Sequence, residues 1–193
     1  MDTTPRIAPL EAPFAPETAA ELDRWMPPGA GLPPLALFRT LATDLPLAQA
    51  MHPLGSFLLS RRFALSLRER EIVIDRVCAR CGCGYEWGVH VAAFGDAAAL
   101  DEAQIAATYA TGGPAGVWSA REELLLRAVD ELHDHGRISD ALWGALAGQY
   151  DERQLLELLV LCGWYHLISF VANGARVTHE AWAVMLPLAV TSA

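Results

Sequence analysis

The sequence is short of basic charge. Its 14 Lys and Arg stand against 23 Asp and Glu, for a formal net charge of −9 and a pI near 5.0. Binding nucleic acid through its phosphates needs clustered cations, and the basic residues here are scattered, so no nucleic-acid partner is expected. The N-terminus has no basic stretch followed by an apolar core, so no signal peptide is expected. No apolar run reads as long enough to cross a bilayer, so no membrane partner is expected and the location predicted is cytoplasmic. Cysteine is scarce too: three of the four fall between Cys78 and Cys83, unlike a secreted disulfide framework, which spreads its bridges over the chain. Strand-like alternation, low-complexity blocks and a repeat period are all missing. The fold class expected is all-α, a bundle of about seven to nine helices.

At 193 residues the chain suits a single domain with a sizeable core. Its hydrophobic content of 53% against 19% charged residues exceeds what a soluble monomer needs, so a homo-oligomer is expected. Residues 1–30 read as an N-terminal arm with a short helix from Pro16 to Trp25, stopped by Met26-Pro27-Pro28-Gly29. Residues 31–193 read as one helical domain. A helical pattern runs from Pro34, and another follows Asp44-Leu45-Pro46 through Met51 and Phe57, where Pro53 and Gly55 threaten a kink or a split. Ser66 and Glu69 make a capping box for the helix carrying Glu71, Ile74, Val77 and Cys78. Gly82 and Gly84 interrupt it, and a new helix runs from near Gly84 to Phe94, ending at Gly95. Asp101 caps Glu102 to Tyr109, and a loop from Thr111 to Gly116 follows. Ser119 opens a long helix closed at Gly136, and Ser139 to Gln149 forms another. Asp151 caps the longest and most apolar helix, which its composition makes central. Thr178 to Leu186 adds a last turn or two.

The reactive residues concentrate between Arg68 and Gly95. Cys83, Glu86 and His90 lie three, four and seven residues apart, which puts a thiol, a carboxylate and an imidazole on one stripe of one helix. Cys83 sits beside the expected helix N-terminus, where the dipole favours a thiolate. A carboxylate near His90 would fix its tautomer and raise its basicity. The same spacing also describes a surface stripe with a small buried cysteine. Glu71, between Arg68, Arg70 and Asp75, reads by residue type as solvent-facing. Cys78-x-x-Cys81 falls at a helix C-terminus, where the dipole opposes a thiolate, and His133 and His135 stand at no zinc-finger or zinc-ribbon spacing from it. Metal ligation is therefore not expected. Tyr165, His166 and Asn173 are polar groups on an apolar helix, placed either to line a pocket against His90 or to tie helices together.

The run RERE-IVIDRV followed by GCGYEWGVH resembles the carboxymuconolactone decarboxylase family, whose wider superfamily includes the AhpD-like alkylhydroperoxidases. The family pattern is a glutamate, then a cysteine twelve residues on, opening C-x-x-C-x-x-x-H. Glu71, Cys83 and His90 keep that register, and the resemblance extends from about Leu35 to Val177. Glu86 stands where the peroxidases have their second cysteine, and disulfide-based peroxide reduction needs that resolving thiol. The GYEW version is similar to the decarboxylase-type branch. The resemblance thus implies a lyase acting on a carboxylated or lactone-type small molecule, without cofactor or metal. It makes His90 the proton donor, oriented by Glu71 or Glu86, with Cys83 in the pocket wall. Arg68, Arg76 and Arg80 are candidates to hold a substrate carboxylate. It also implies a trimer or hexamer. The alternatives are a thiol peroxidase using Cys83 and a non-catalytic ligand-binding assembly.

Overall fold

The computed structural model describes residues 4–27, 29, 31–110 and 116–187. Among these residues there are nine α-helices and no strand, so the fold class is all-α, as expected. The chain divides into two compact units.

The first unit holds the residues up to Phe63 together with Val171–Ala181. Pro16 opens α1 (Pro16–Trp25), its fixed φ suiting the first helical turn. Trp25 packs on Phe38 at 4.8 Å and edge-on against His52 at 5.3 Å, joining α1 to α2 (Ala36–Leu41) and α3 (Leu45–Leu58). Asp44 caps α3 by accepting from the Leu47 amide. Neither Pro53 nor Gly55 splits α3, which continues through both.

The second unit holds Ala64–Phe170 and the segment from Trp182 onward. Capping boxes at Ser66/Glu69, Asp101/Gln104 and Ser119/Glu122 open α4 (Leu67–Arg80), α6 (Glu102–Tyr109) and α7 (Ala120–His135). Between them lies α5 (Gly84–Phe94), and α8 (Asp140–Ala147) and α9 (Glu152–Ala175) complete the set. Of the loop expected at Thr111–Gly116, residues 111–115 lie outside the described residues.

Three expectations change. The central helix of this unit is α4, in which every residue from Arg70 to Cys78 is buried despite two arginines, a glutamate and an aspartate. By contrast, α9 exposes Leu156, Val160, Leu167 and Phe170 along one side. At 24 residues it is also long and apolar enough by composition to cross a bilayer, contrary to the sequence reading, and 44% of its most apolar 18-residue window is buried inside the protein. The core helix of a soluble protein has the same composition, so length alone decides nothing. Finally, no helix follows α9 among the described residues. Instead the Val184 amide donates to the Gly88 carbonyl of α5 at 3.2 Å. A Cβ on Gly88 would stand 1.9 Å from the Val184 carbonyl oxygen, so this close approach requires glycine.

Candidate active site

A Schellman turn between α4 and α5 sets the site. Gly82 takes φ +59°, the Gly82 amide donates to the Ala79 carbonyl at 3.0 Å, and the Cys83 amide donates to the Cys78 carbonyl at 2.8 Å. This reversal lays α5 back along α4, so that Glu71 from α4 meets His90 from α5. His90 Nδ1 donates to Glu71 Oε2 at 2.7 Å. The other ring nitrogen, Nε2, lies 3.0 Å from the Tyr165 hydroxyl of α9 and 3.7 Å from Glu86 Oε2. Glu71, Glu86, His90 and Tyr165 are all buried, and Cys83 at the head of α5 is buried with them. The solvent-facing reading of Glu71 therefore fails, because its carboxylate is matched inside the protein. Arg70 Nε donates to Glu71 Oε1 at 2.9 Å, leaving both Glu71 oxygens bonded.

Burial opposes charging of His90, but the Glu71 carboxylate, with Glu86 and Asp75 behind it, outweighs that cost and holds the imidazole above its usual pKa. Burial and the neighbouring Glu71 push the Asp75 carboxyl well up. Burial, then Glu86 and Glu71, do the same to the Tyr165 phenol. The arrangement favours the protonated ring, with a carboxylate on one nitrogen and a phenol on the other.

Cys83 departs from expectation. It does head α5, but burial and then the Glu86 charge push its thiol up to about 12, so the helix dipole does not win there. Burial likewise raises the Cys78 thiol well above its ordinary value. The three arginines proposed as a carboxylate cradle are engaged elsewhere. Arg68 pairs with Glu122 at 2.6 Å, Arg76 grips Asp130 with two bonds of 2.8 Å, and Arg80 pairs with Asp134. The arginine in the site is Arg70, 5.7 Å over the Phe94 ring. It had been read as a solvated neighbour, since nothing in its spacing marks it. Gly88 had also been missed, though a glycine inside a helical pattern is itself a signal of close approach.

Residues 46–131, which run from the start of α3 through most of α7, match the carboxymuconolactone decarboxylase family. That stretch of the chain is similar to the carboxymuconolactone decarboxylase family over 86 of its 193 residues. Solved structures agree on the fold. A peroxidase-related protein from Silicibacter sp. TM1040 superposes with a TM-score of 0.77 at 18% identity, covering 94% of this chain and 96% of that one. The debrominase Bmp8, as a cysteine-to-alanine variant in complex with 2,3,4-tribromopyrrole, gives 0.72 at 14% identity, covering 91% and 92%. A putative antioxidant defence protein AhpD from Agrobacterium tumefaciens gives 0.66 at 18%, covering 73% and 95%. No curated protein matches the chain by sequence. At these identities the structural likeness speaks for a shared helical fold and not for one reaction.

Proposed function

We propose that this carboxymuconolactone decarboxylase family protein is a cofactor-independent proton-transfer enzyme, a carboxy-lyase acting on a carboxylated or lactone-type small molecule. The observation that carries this reading is His90 held between Glu71 at 2.7 Å and Tyr165 at 3.0 Å. Cleavage of the bond to a substrate carboxylate expels CO₂ and leaves its electron pair in a conjugated enolate, which must then take a proton on carbon. His90 Nε2 is the donor in this scheme. Glu71 acts as the positioning residue that keeps the ring charged, Glu86 faces the same nitrogen, Tyr165 orients the ring through its hydroxyl, and His90 regains its proton from solvent after the product leaves.

Carboxylated five-membered lactones, assayed for CO₂ release and for deuterium incorporation at carbon in D₂O, test it. His90→Ala should lower turnover about 10²- to 10⁴-fold, whereas Cys83→Ser should keep most of it. The competing reading is a thiol-based enzyme, for which the names of the peroxidase-related and debrominase neighbours speak. It wins if Cys83→Ser abolishes activity and peroxide converts Cys83 to a sulfenic acid. The thiol pushed up to about 12 and the carboxylate at the resolving position both favour proton transfer.

The same proposal includes a cytoplasmic homo-oligomer. Leu156, Val160, Leu167 and Phe170 recur at four, seven and three residues along exposed α9, the spacing of a helix-packing seam. A second copy of the chain is the occupant that suits an apolar stripe on a protein of net charge −9.

A further inference from the structure

Cys81, two residues from the buried Cys83, faces a different environment. It is the C-cap of α4 and only half-buried. Its Sγ lies 3.9 Å from His133 Nδ1 of α7, and that nitrogen lies 3.0 Å from His166 Nε2 of α9. All three donor atoms fall within 4.8 Å of one another. The geometry points to a binding site for one zinc-class divalent ion on Cys81 Sγ, His133 Nδ1 and His166 Nε2, with the fourth coordination position open to solvent or a small ligand.

Bond lengths set the test of fit. Tetrahedral zinc with Zn–N near 2.0–2.1 Å and Zn–S near 2.3 Å needs N···N of about 3.3 Å and S···N of about 3.6 Å. The N···N separation must open and the Cys81–His133 separation close by a few tenths of an ångström, while Cys81 Sγ and His166 Nε2, within 4.8 Å of each other, must close by up to about 1.2 Å, a movement that rotation of the Cys81 and His166 side chains can supply. The ring of His166 is already oriented for this. Its Nδ1 lies 2.8 Å from the Cys162 carbonyl, which can only accept, so Nδ1 carries the hydrogen and Nε2 presents its lone pair. The helices are pinned as well. Arg76 is bidentate to Asp130 and also donates to the Thr108 and Ala110 carbonyls at 3.0 and 2.9 Å, while Arg80 pairs with Asp130 and Asp134. The C-terminal end of α4 is thereby fixed against the stretch of α7 that carries His133, and the two aspartates offset the arginine charge beside the site. Two imidazoles with one thiolate are borderline-soft donors of the kind that select zinc over magnesium or calcium. Cys78, the other half of the C-x-x-C, is fully buried in α4 and takes no part.

On binding, the Cys81 thiol gives its proton to solvent and the His133 hydrogen moves from Nδ1 to Nε2, for a net release of about one proton per ion. Cobalt(II) titration of the full chain is the experiment. The expected result is one cobalt per chain, a thiolate-to-cobalt charge-transfer band, tetrahedral visible bands, and displacement of all of these by zinc. Cys81→Ser should lose the charge-transfer band, and His133→Ala or His166→Ala should lose saturable binding. Cys78→Ala and His135→Ala should behave as the parent. Circular dichroism of each variant without metal separates a lost ligand from a lost fold, and proton release on zinc addition to the parent protein provides a readout that needs no variant. Absence of a saturable band in the parent, or its persistence in Cys81→Ser, overturns the site.

Discussion

Helices α4 and α9 invert the usual relation between composition and burial. The first contains Arg68, Glu69, Arg70, Glu71, Asp75, Arg76 and Arg80 and is buried all round from Arg70 to Cys78, whereas the second is a near-continuous apolar run with one side in solvent. The difference teaches that charge is tolerated inside where each group meets a partner of opposite sign or is neutral. Glu71 meets Arg70 and His90, Arg76 meets Asp130, and burial with the neighbouring Glu71 holds the Asp75 carboxyl well above its ordinary pKa, toward the neutral form. An apolar face is left outside where none of the described residues covers it. The buried charges of α4 register the helix on its neighbours, and the bare face of α9 is the surface on which the proposed association would rest.

The largest effect should follow from breaking the best-matched charge on α4. Glu71→Gln leaves the Arg70 guanidinium buried without a carboxylate and should cost about 3–5 kcal/mol in denaturant unfolding. It also removes the main attraction that raises the His90 pKa, so the basic limb of any pH–rate profile should move toward acid, which a purely structural role for Glu71 would not do. An unchanged limb would separate Glu71 from proton transfer. Next in size is Arg76→Met, which keeps the stem but abandons Asp130 and two carbonyls. Asp130 is partly exposed and can turn to water, so a loss of about 1.5–3 kcal/mol is expected. A neutral outcome would mean that packing alone registers α4 on α7.

Much of the fold is legible in the sequence where it is local. Ser66/Glu69, Asp101 and Ser119 mark helix starts because a cap is a contact within four residues. Gly82 marks the reversal that lays α5 on α4, and the register of Glu71, Cys83 and His90 marks the site. The burial of α4 is not legible, because the partners that permit it come from far along the chain. Asp130 lies 54 residues beyond Arg76, and Tyr165 lies 75 residues beyond His90. Pattern reading assigns Arg70 and Asp75 to water for the same reason. The low acidity of Cys83 is hidden too, since a helix start predicts a thiolate and only tertiary burial reverses it.

A smaller and pH-dependent effect should come from Asp75→Asn. The folded-state pKa of Asp75 is raised above its ordinary 3.8, so its contribution to stability is fully present below that value and is lost as pH climbs through the folded pKa. The same sign applies to His90 above its ordinary 6.5. Urea unfolding of the parent and of Asp75→Asn from about pH 4 to about pH 8 should give profiles that diverge, the variant gaining on the parent as pH rises. Parallel profiles would show that Asp75 ionises alike in both states.

The smallest effect on the fold itself should come from the bare side of α9. Leu156 and Phe170 are 62% and 68% exposed, so Leu156→Glu with Phe170→Glu removes little intramolecular packing and should change the stability of the single chain by about 0.5 kcal/mol or less. Association is another matter, because two carboxylates in an apolar seam would have to be desolvated without partners. The parent should show a native mass of several chains and a thermal midpoint that rises with protein concentration, since assembly stabilises by mass action. The double variant should be a monomer whose midpoint is independent of concentration. A parent midpoint that is itself independent of concentration, together with a monomeric mass, would remove the second copy from α9 and leave the stripe as exposed apolar surface on a helix whose buried side alone accounts for its composition.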